Sequence, residues 1–252
     1  MIPSNNYDTF MPRLNLKSRR RQPELMDQPG LDMGKHRSAL AGLQRVNSMS
    51  RTGRVFWREL QRLVHQRQLA KLRLLDLACG GGDLAIWLAR QGQRSGLDVT
   101  VCGYDISPTA VAYAKEKSLA AGVGNAQFYE CDALNESLEQ QPGEAFDIVF
   151  STLFLHHLEE PQATLLLQRM AAKARHAVIV DDLRRTRFGY GLAWIGCRLL
   201  TRSPIVHVDG PLSVQAAFTV DEARSLAGKA GLQNVSITTH WPQRFLLTWQ
   251  RP

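Results

Sequence analysis

The 252-residue chain is predicted to form one large α/β domain: a doubly wound, mostly parallel sheet with helices on both faces. Three observations carry this. From Leu72 onward, short apolar runs alternate with stretches of helical period, the βαβ order that places successive strands in parallel. The first run ends at Gly80-Gly81-Gly82, small residues that let a strand pass into a helix beneath a ligand. At 44% hydrophobic and 21% charged residues, the composition is that of a packed core and excludes wholesale disorder.

Residues 1–34 hold four of the eleven prolines and the run Arg19-Arg20-Arg21, so an extended, partly ordered basic arm is expected. Over residues 35–68, Leu40, Leu43 and Val46, then Val55, Leu60, Leu63 and Val64, recur at mostly helical spacing. The pattern breaks near Ser48 to Gly53, which predicts two amphipathic helices lying across the body as a lid. The body, residues 69–252, opens with a strand over Leu72 to Leu77 and a helix from Leu84. A second strand, Val99 to Tyr104, precedes Ser107-Pro108, a cap and first-position proline for the next helix. Strands follow at Gln127 to Glu130, Phe146 to Phe150 and Ala177 to Val180, with a helix over Gln162 to Lys173 before the last. A long connection, about 184–218, reads as a cap insertion. Thr219-x-x-Glu222 is a capping box opening a helix that Gly231 stops. Val235 to Thr239 and Phe245 to Trp249 close the chain as a hairpin.

Charge and cysteines narrow the class. Residues 1–67 carry 13 Lys or Arg against 5 Asp or Glu, and residues 68–252 carry 18 of each. The whole excess of +8 therefore belongs to the N-terminal segment, whereas a nucleic-acid enzyme more often spreads basic residues around its active-site mouth. The arm reads as solvated, its arginines partly paired to the body, with RNA or an anionic membrane surface as the alternative partners. Cys79, Cys102, Cys131 and Cys197 form no CxxC pair, so neither a disulfide framework nor a metal site is expected, and a reducing cytoplasmic setting fits. The polar start lacks the apolar stretch of a secretory signal, and the run Phe188 to Leu200 is too short to span a bilayer.

In doubly wound sheets ligands bind beyond the carboxyl ends of the strands, and acids stand at the ends of the first three. Asp76 closes the first strand, just before the glycine turn. Gly80-x-Gly82-x-x-Ala85 satisfies a dinucleotide pattern, but a carboxylate there repels a pyrophosphate and attracts a cationic amino group. Asp105, at the end of the second strand beside Ile106, can accept both hydroxyl hydrogens of a ribose. Asp132-Ala133 follows the third strand, where a carboxylate could take an adenine amino hydrogen. Asp147 lies within the fourth, which leads through Ser151 to Leu155-His156-His157-Leu158. Any one of these acids alone is an ordinary strand-end or capping residue; in order behind a glycine turn they make a pattern.

With these motifs the sequence resembles the class I S-adenosylmethionine-dependent methyltransferases, over roughly residues 68–183. Asp76-Leu77-Ala78-Cys79-Gly80-Gly81-Gly82 is similar to the family's glycine motif, with Ala78 where a glycine is usual. The resemblance implies a Rossmann-like methyltransferase fold with a seven-stranded sheet and an antiparallel last strand. It implies S-adenosylmethionine as cofactor, held by Asp76, Ala78, Gly80, Gly82, Asp105, Ile106, Asp132, Ala133 and Ser151. Leu-Asp-Leu-Ala-Cys-Gly-Gly-Gly-Asp and Leu-His-His-Leu look most like the small-molecule branch, which includes quinone-biosynthesis and polyketide-tailoring enzymes. The Asn/Asp-Pro-Pro-Tyr sequence of amino-group methylation is replaced by Ser151-Thr152-Leu153-Phe154.

The expected reaction is methyl transfer to an oxygen, less readily a carbon, of an apolar aromatic or polyketide-like molecule. Phe154, Leu155, Phe188, Tyr190, Leu192, Trp194, Ile195 and Leu199 are candidates for its pocket or for ordinary helix packing. A phenol or enol must lose its proton, and histidine is matched to that near neutral pH. His156 is the first candidate base and His207, in the cap connection, the second; His157 is expected to bond loop backbone. Arg184 and Arg185 could hold a substrate carbonyl, or pair with Asp181 and Asp182. Alternatives are an RNA methyltransferase using the arm and a non-catalytic cofactor-binding scaffold, with a nicotinamide enzyme disfavoured by Asp76. A homodimer is among the assemblies the sequence allows.

Overall fold

The computed structural model describes residues 15–28, 30–135 and 146–252; residues 1–14 of the predicted arm lie outside the described residues. The sheet has seven strands: β1 Lys71–Leu77, β2 Asp98–Asp105, β3 Ala126–Glu130, β4 Phe146–Thr152, β5 Ala174–Leu183, β6 Ser236–His240 and β7 Arg244–Gln250. Their order is β3-β2-β1-β4-β5-β7-β6. β1 to β5 run parallel, and β7 inserts antiparallel between β5 and β6. The chain leaves β1 toward one edge and returns for β4 on the other side of it. The crevice opened by that reversal lies between the carboxyl ends of β1 and β4.

Alternation along β1 sets the two layers. Leu72 and Leu74 face one side, in a core with Val99, Val101 and Phe128. Leu75 and Leu77 face the other, with Leu166, Met170, Leu226 and Phe245. The helices are α1 Met33–Ser48, α2 Thr52–Arg67, α3 Asp83–Ser95, α4 Pro108–Ala120, α5 Glu160–Lys173, α6 Arg187–Leu200, α7 Pro204–Ala216 and α8 Val220–Lys229. The predicted start signals operate. Ser107 caps α4 with a proline in its first turn, and Thr219 and Glu222 form the capping box of α8. Each saves a first-turn N–H from going unpaired.

The two-helix lid needs correction. α2 is a core helix: Phe56, Leu60 and Leu63 are fully buried on the sheet face, and the Phe56 ring lies 4.9 Å from that of Phe150 on β4. α1 lies elsewhere, against α4, α6 and α7. The break between them falls at Arg51, whose φ is 55°. Apolar periodicity marks a buried helix face without saying which surface buries it.

The basic arm is also more committed than its composition suggests. The Arg19 guanidinium donates to the carbonyls of Ala216 (2.6 Å), His156 (2.8 Å) and Leu158 (2.7 Å) and covers the Phe218 ring at 4.0 Å. Arg21 meets Glu159 at 2.7 Å. Beyond them a short 3-10 turn, Leu25–Asp27, is held by Asp209 of α7, which accepts from Leu25 N–H and Met26 N–H at 2.8 and 3.0 Å. Residues 19–27 thus form a strap across the carboxyl end of the sheet. Among the described residues, no helix is long and apolar enough to cross a membrane.

Candidate active site

The turn after β1 is built for a ligand that approaches backbone. Ala78, Gly80 and Gly82 all have positive φ, 57°, 52° and 70°. Gly80 faces open space, with nothing within 4 Å of where a Cβ would stand, whereas a Cβ on Gly82 would meet the Phe128 ring at 2.7 Å. Ala78 holds a left-handed conformation that glycine adopts without strain, the physical content of its departure from the usual motif. Behind the turn, Asp76 is buried and its Oδ1 has no hydrogen-bond partner among the described residues. Burial, with Asp105 and Asp83 adding repulsion, raises this carboxyl well above the usual range. An orphaned acid is costly unless a cation or donor meets it. The donor set therefore fits a ligand with a positive end at the glycine turn.

Asp105 closes β2 and braces the same turn. Its Oδ2 accepts from Gly80 N–H at 2.7 Å and its Oδ1 from Ser107 N–H at 2.9 Å. Burial raises its carboxyl and these two bonds work against that rise. Each oxygen keeps lone-pair capacity for a hydroxyl. Ile106 is exposed beside it, free to be covered by a flat ring. Asp132 Oδ1 accepts from Leu134 N–H at 2.8 Å, with Ala133 buried next to it. Ser151 is placed differently: its buried hydroxyl donates to Leu77 O at 2.8 Å, which ties the end of β4 to the end of β1.

The second half of the site lies past β4. A 3-10 turn, Leu155–His157, carries His156 into the interior, 3% exposed. Its Nδ1 lies 2.6 Å from Asp182 Oδ1, and its backbone N–H donates to Asp182 Oδ2 at 3.1 Å. Burial would raise the Asp182 carboxyl, but the His156 charge and these hydrogen bonds outweigh it and hold it below the usual range. An ionised Asp182 accepts the Nδ1 proton, so in the neutral ring the lone pair lies on Nε2. Glu24, from the strap, is buried, and its Oε1 stands 3.8 Å from that Nε2 while accepting from the Ser213 hydroxyl at 2.6 Å. His157 stacks against His156 with ring centroids 4.4 Å apart, and its Nδ1 meets Asp27 Oδ2 at 3.0 Å. Burial disfavours its charge, but Asp27, Glu24 and Asp182 together raise it to about 9.

His207, Arg185 and the α6 side chains fall outside this cluster. His207 sits on α7 with Nε2 2.7 Å from Thr201 O, so that nitrogen donates to backbone and is unavailable as a base. Arg185 does not pair with Asp181 or Asp182. It reaches Glu222 at 2.6 Å and the carbonyls of Leu16 and Ala217, while Asp181 is taken by Arg244 and His240. His157 bonds a strap carboxylate and not the loop backbone. On α6, Phe188 and Leu199 are 60% and 78% exposed and Trp194 and Ile195 are also exposed, so this apolar face is not packed in the core. Leu155 is core. Glu24 and Asp27 had no motif to announce them; their one signal is that they are acids in an arm otherwise basic.

A family model described as a methyltransferase domain matches residues 69–194. A ubiquinone biosynthesis O-methyltransferase of Xanthomonas euvesicatoria is 30% identical over 135 residues, 54% of this chain and 53% of that protein. One of Cereibacter sphaeroides is 30% identical over 167 residues, 65% and 61% of the two chains. The chain thus spans only about half to three-fifths of the length of these relatives. Among solved structures, the plantazolicin methyltransferase aligns with TM-score 0.63 at 18% identity, covering 84% of this chain and 89% of that one. Magnesium protoporphyrin IX methyltransferase of Synechocystis PCC 6803 aligns with TM-score 0.52 at 22% identity over 90% and 91%.

Proposed function

We propose that this chain, which belongs to the methyltransferase domain family, is an S-adenosylmethionine-dependent methyltransferase that methylates an oxygen of an apolar aromatic or polyketide-like small molecule, with His156 as the base. The observation that carries this reading is the buried His156–Asp182 pair, 2.6 Å from Nδ1 to Oδ1, one short turn beyond β4 and beside the strand that delivers Asp76. Relatives with a ubiquinone-pathway name at about 30% identity agree with a phenolic acceptor.

The cofactor, when bound, supplies a methyl group already activated as a sulfonium substituent. Asp76 would hold its amino group, Asp105 its ribose hydroxyls, and Asp132 its adenine edge. What this chain adds is a proton acceptor. His156 Nε2 takes the hydroxyl proton as the oxygen becomes nucleophilic, and Asp182 stabilises the imidazolium that results. The strap and α7 exclude water from this nitrogen, which strengthens both charges' interactions. Arg19 and Arg21 spend their guanidinium groups on the body, which speaks against the arm as an RNA clamp.

The test is labelled methyl transfer from S-adenosylmethionine to a panel of phenols, enols and RNA, with the methylated atom assigned by NMR. O-methylated aromatic product is the expected result; transfer to RNA alone, or to carbon alone, overturns the reading.

Two cofactor-site predictions accompany it. Asp105→Ala removes a charged acceptor worth about 1.5–3 kcal/mol, so calorimetry should find roughly 10- to 150-fold weaker S-adenosylmethionine binding, with the circular dichroism of the fold retained. Unchanged affinity would count against the ribose assignment. Asp76 predicts a pH dependence. Its raised carboxyl is protonated at low pH and must ionise to hold an ammonium group, so a proton leaves when the cofactor binds. Affinity should therefore rise with pH above the ordinary carboxylate range, as far as the range where an α-amino group itself deprotonates. Calorimetry in two buffers of different ionisation heat counts the released proton, and Asp76→Asn should abolish the release.

A further inference from the structure

The strap and the turn after β4 bring together three side chains that no sequence spacing connects. Glu24, His156 and His157 each offer one ligand atom, a carboxylate oxygen and two ring nitrogens, all within 4.8 Å of one another. Glu24 Oε1 is 3.8 Å from His156 Nε2, and Glu24 Oε2 is 3.9 Å from His157 Nε2. Donors around a tetrahedral zinc at about 2.0–2.1 Å stand roughly 3.3 Å apart, so drawing Glu24 onto either imidazole asks for about half an ångström, and the widest pair of the set for up to about 1.5 Å. His157, which its acids hold protonated, gives up its Nε2 proton when an ion binds, and the two stacked rings turn so that both lone pairs reach one centre. His156 directs Nδ1 to Asp182 and His157 directs Nδ1 to Asp27, the carboxylate–histidine pairing that fixes the tautomer of metal-ligating histidines and leaves Nε2 to the ion. The Ser213 hydroxyl positions the carboxylate in the same way. Glu24 and His156 are buried, which separates this cluster from an incidental group of surface acids.

We propose that Glu24, His156 and His157 form a binding site for a divalent transition metal of the zinc class, with the fourth coordination position left to water or an acceptor oxygen. An N2O donor set suits Zn2+ and Co2+ over the oxygen-preferring Mg2+ and Ca2+. Since Glu24 belongs to the strap and the histidines to the body, the ion also fastens residues 19–27 across the end of the sheet. His156 Nε2 has one lone pair, which serves a metal or a proton but not both. Zinc is therefore expected to depress methyl transfer and a chelator to restore it. That last consequence rests on His156 being the base; the binding itself does not.

The experiment titrates the full chain, stripped with a chelator, with Zn2+ by calorimetry and with Co2+ by visible absorption, without cofactor or acceptor. The expected result is one tight site per chain, intense visible bands of four-coordinate cobalt, and no comparable response to Mg2+. His157→Ala should weaken binding at least 100-fold. Glu24→Gln, which keeps the shape and the Ser213 contact, should weaken it at least 10-fold. No tight site, or a site that both variants leave unchanged because scattered surface histidines make it, overturns the proposal. If the site titrates as expected yet saturating zinc leaves turnover untouched, the metal site stands and the base assignment of His156 falls.

Discussion

His156→Ala should lower turnover by about 10²- to 10⁴-fold, the range for a lost general base, while S-adenosylmethionine affinity changes little. The separation follows from position. The groups proposed to hold the cofactor, Asp76, Asp105 and the glycine turn, lie on or directly after β1 and β2, whereas His156 is held from β5 through Asp182. Single-turnover rates and calorimetric affinities on the same preparation distinguish the two effects. Asp182→Asn is the companion variant: the imidazole keeps its place, but an amide can donate to Nδ1 and favour the tautomer whose Nε2 carries the proton. It should slow the reaction by a similar factor. If His156→Ala leaves turnover intact, the acceptor ionises unaided and the buried dyad has another role.

The second large effect concerns α2. Phe56→Ala removes a fully buried ring that packs on Phe150 at 4.9 Å in the centre of one sheet face, and should cost about 3–5 kcal/mol by urea denaturation. A domain of this size holds only about 5–15 kcal/mol in total. Starting the chain at Lys71 removes Phe56, Trp57, Leu60 and Leu63 together and bares Leu74, Ile148 and Phe150 to water; such a chain should aggregate and not remain a folded body lacking a lid. Cooperative unfolding with the wild-type midpoint after either change would mean that α2 is an appendage after all.

These two expectations differ in how far the sequence foretells them. His156 could be singled out because the turn after a fourth parallel strand must open on the crevice, which is a property of topology. Its partner could not. Asp181 and Asp182 are adjacent, and nothing in their order says that the first goes to Arg244 and His240 and the second to His156. Strand alternation sends neighbours to opposite faces, and the choice of face depends on which layer each helix occupies. The same limit explains Arg185, set beside two aspartates in sequence but carried by the start of the cap to Glu222 on α8.

α7 shows a different limit. No apolar period marks residues 204–216, and Pro211 lies inside the helix, so local signals argue for a connection. Packing overrides them, because α7 sits against the strap, α1, α6 and the Leu155–His157 turn at once. The exposed apolar face of α6 is the converse case, a periodic stripe with no layer to cover it among the described residues.

By itself the order of residues determined the parallel sheet, the glycine turn and the acids ranked behind it, because strand period, turn sterics and charge at a strand end act over a few neighbouring positions. Only the folded chain decided that Glu24, His156 and Asp182 share one buried volume, with His157 and Asp27 at its edge. The strap's contacts join residues more than a hundred positions apart, and no local interaction encodes where such residues meet; the choice is made by which faces the layers bury.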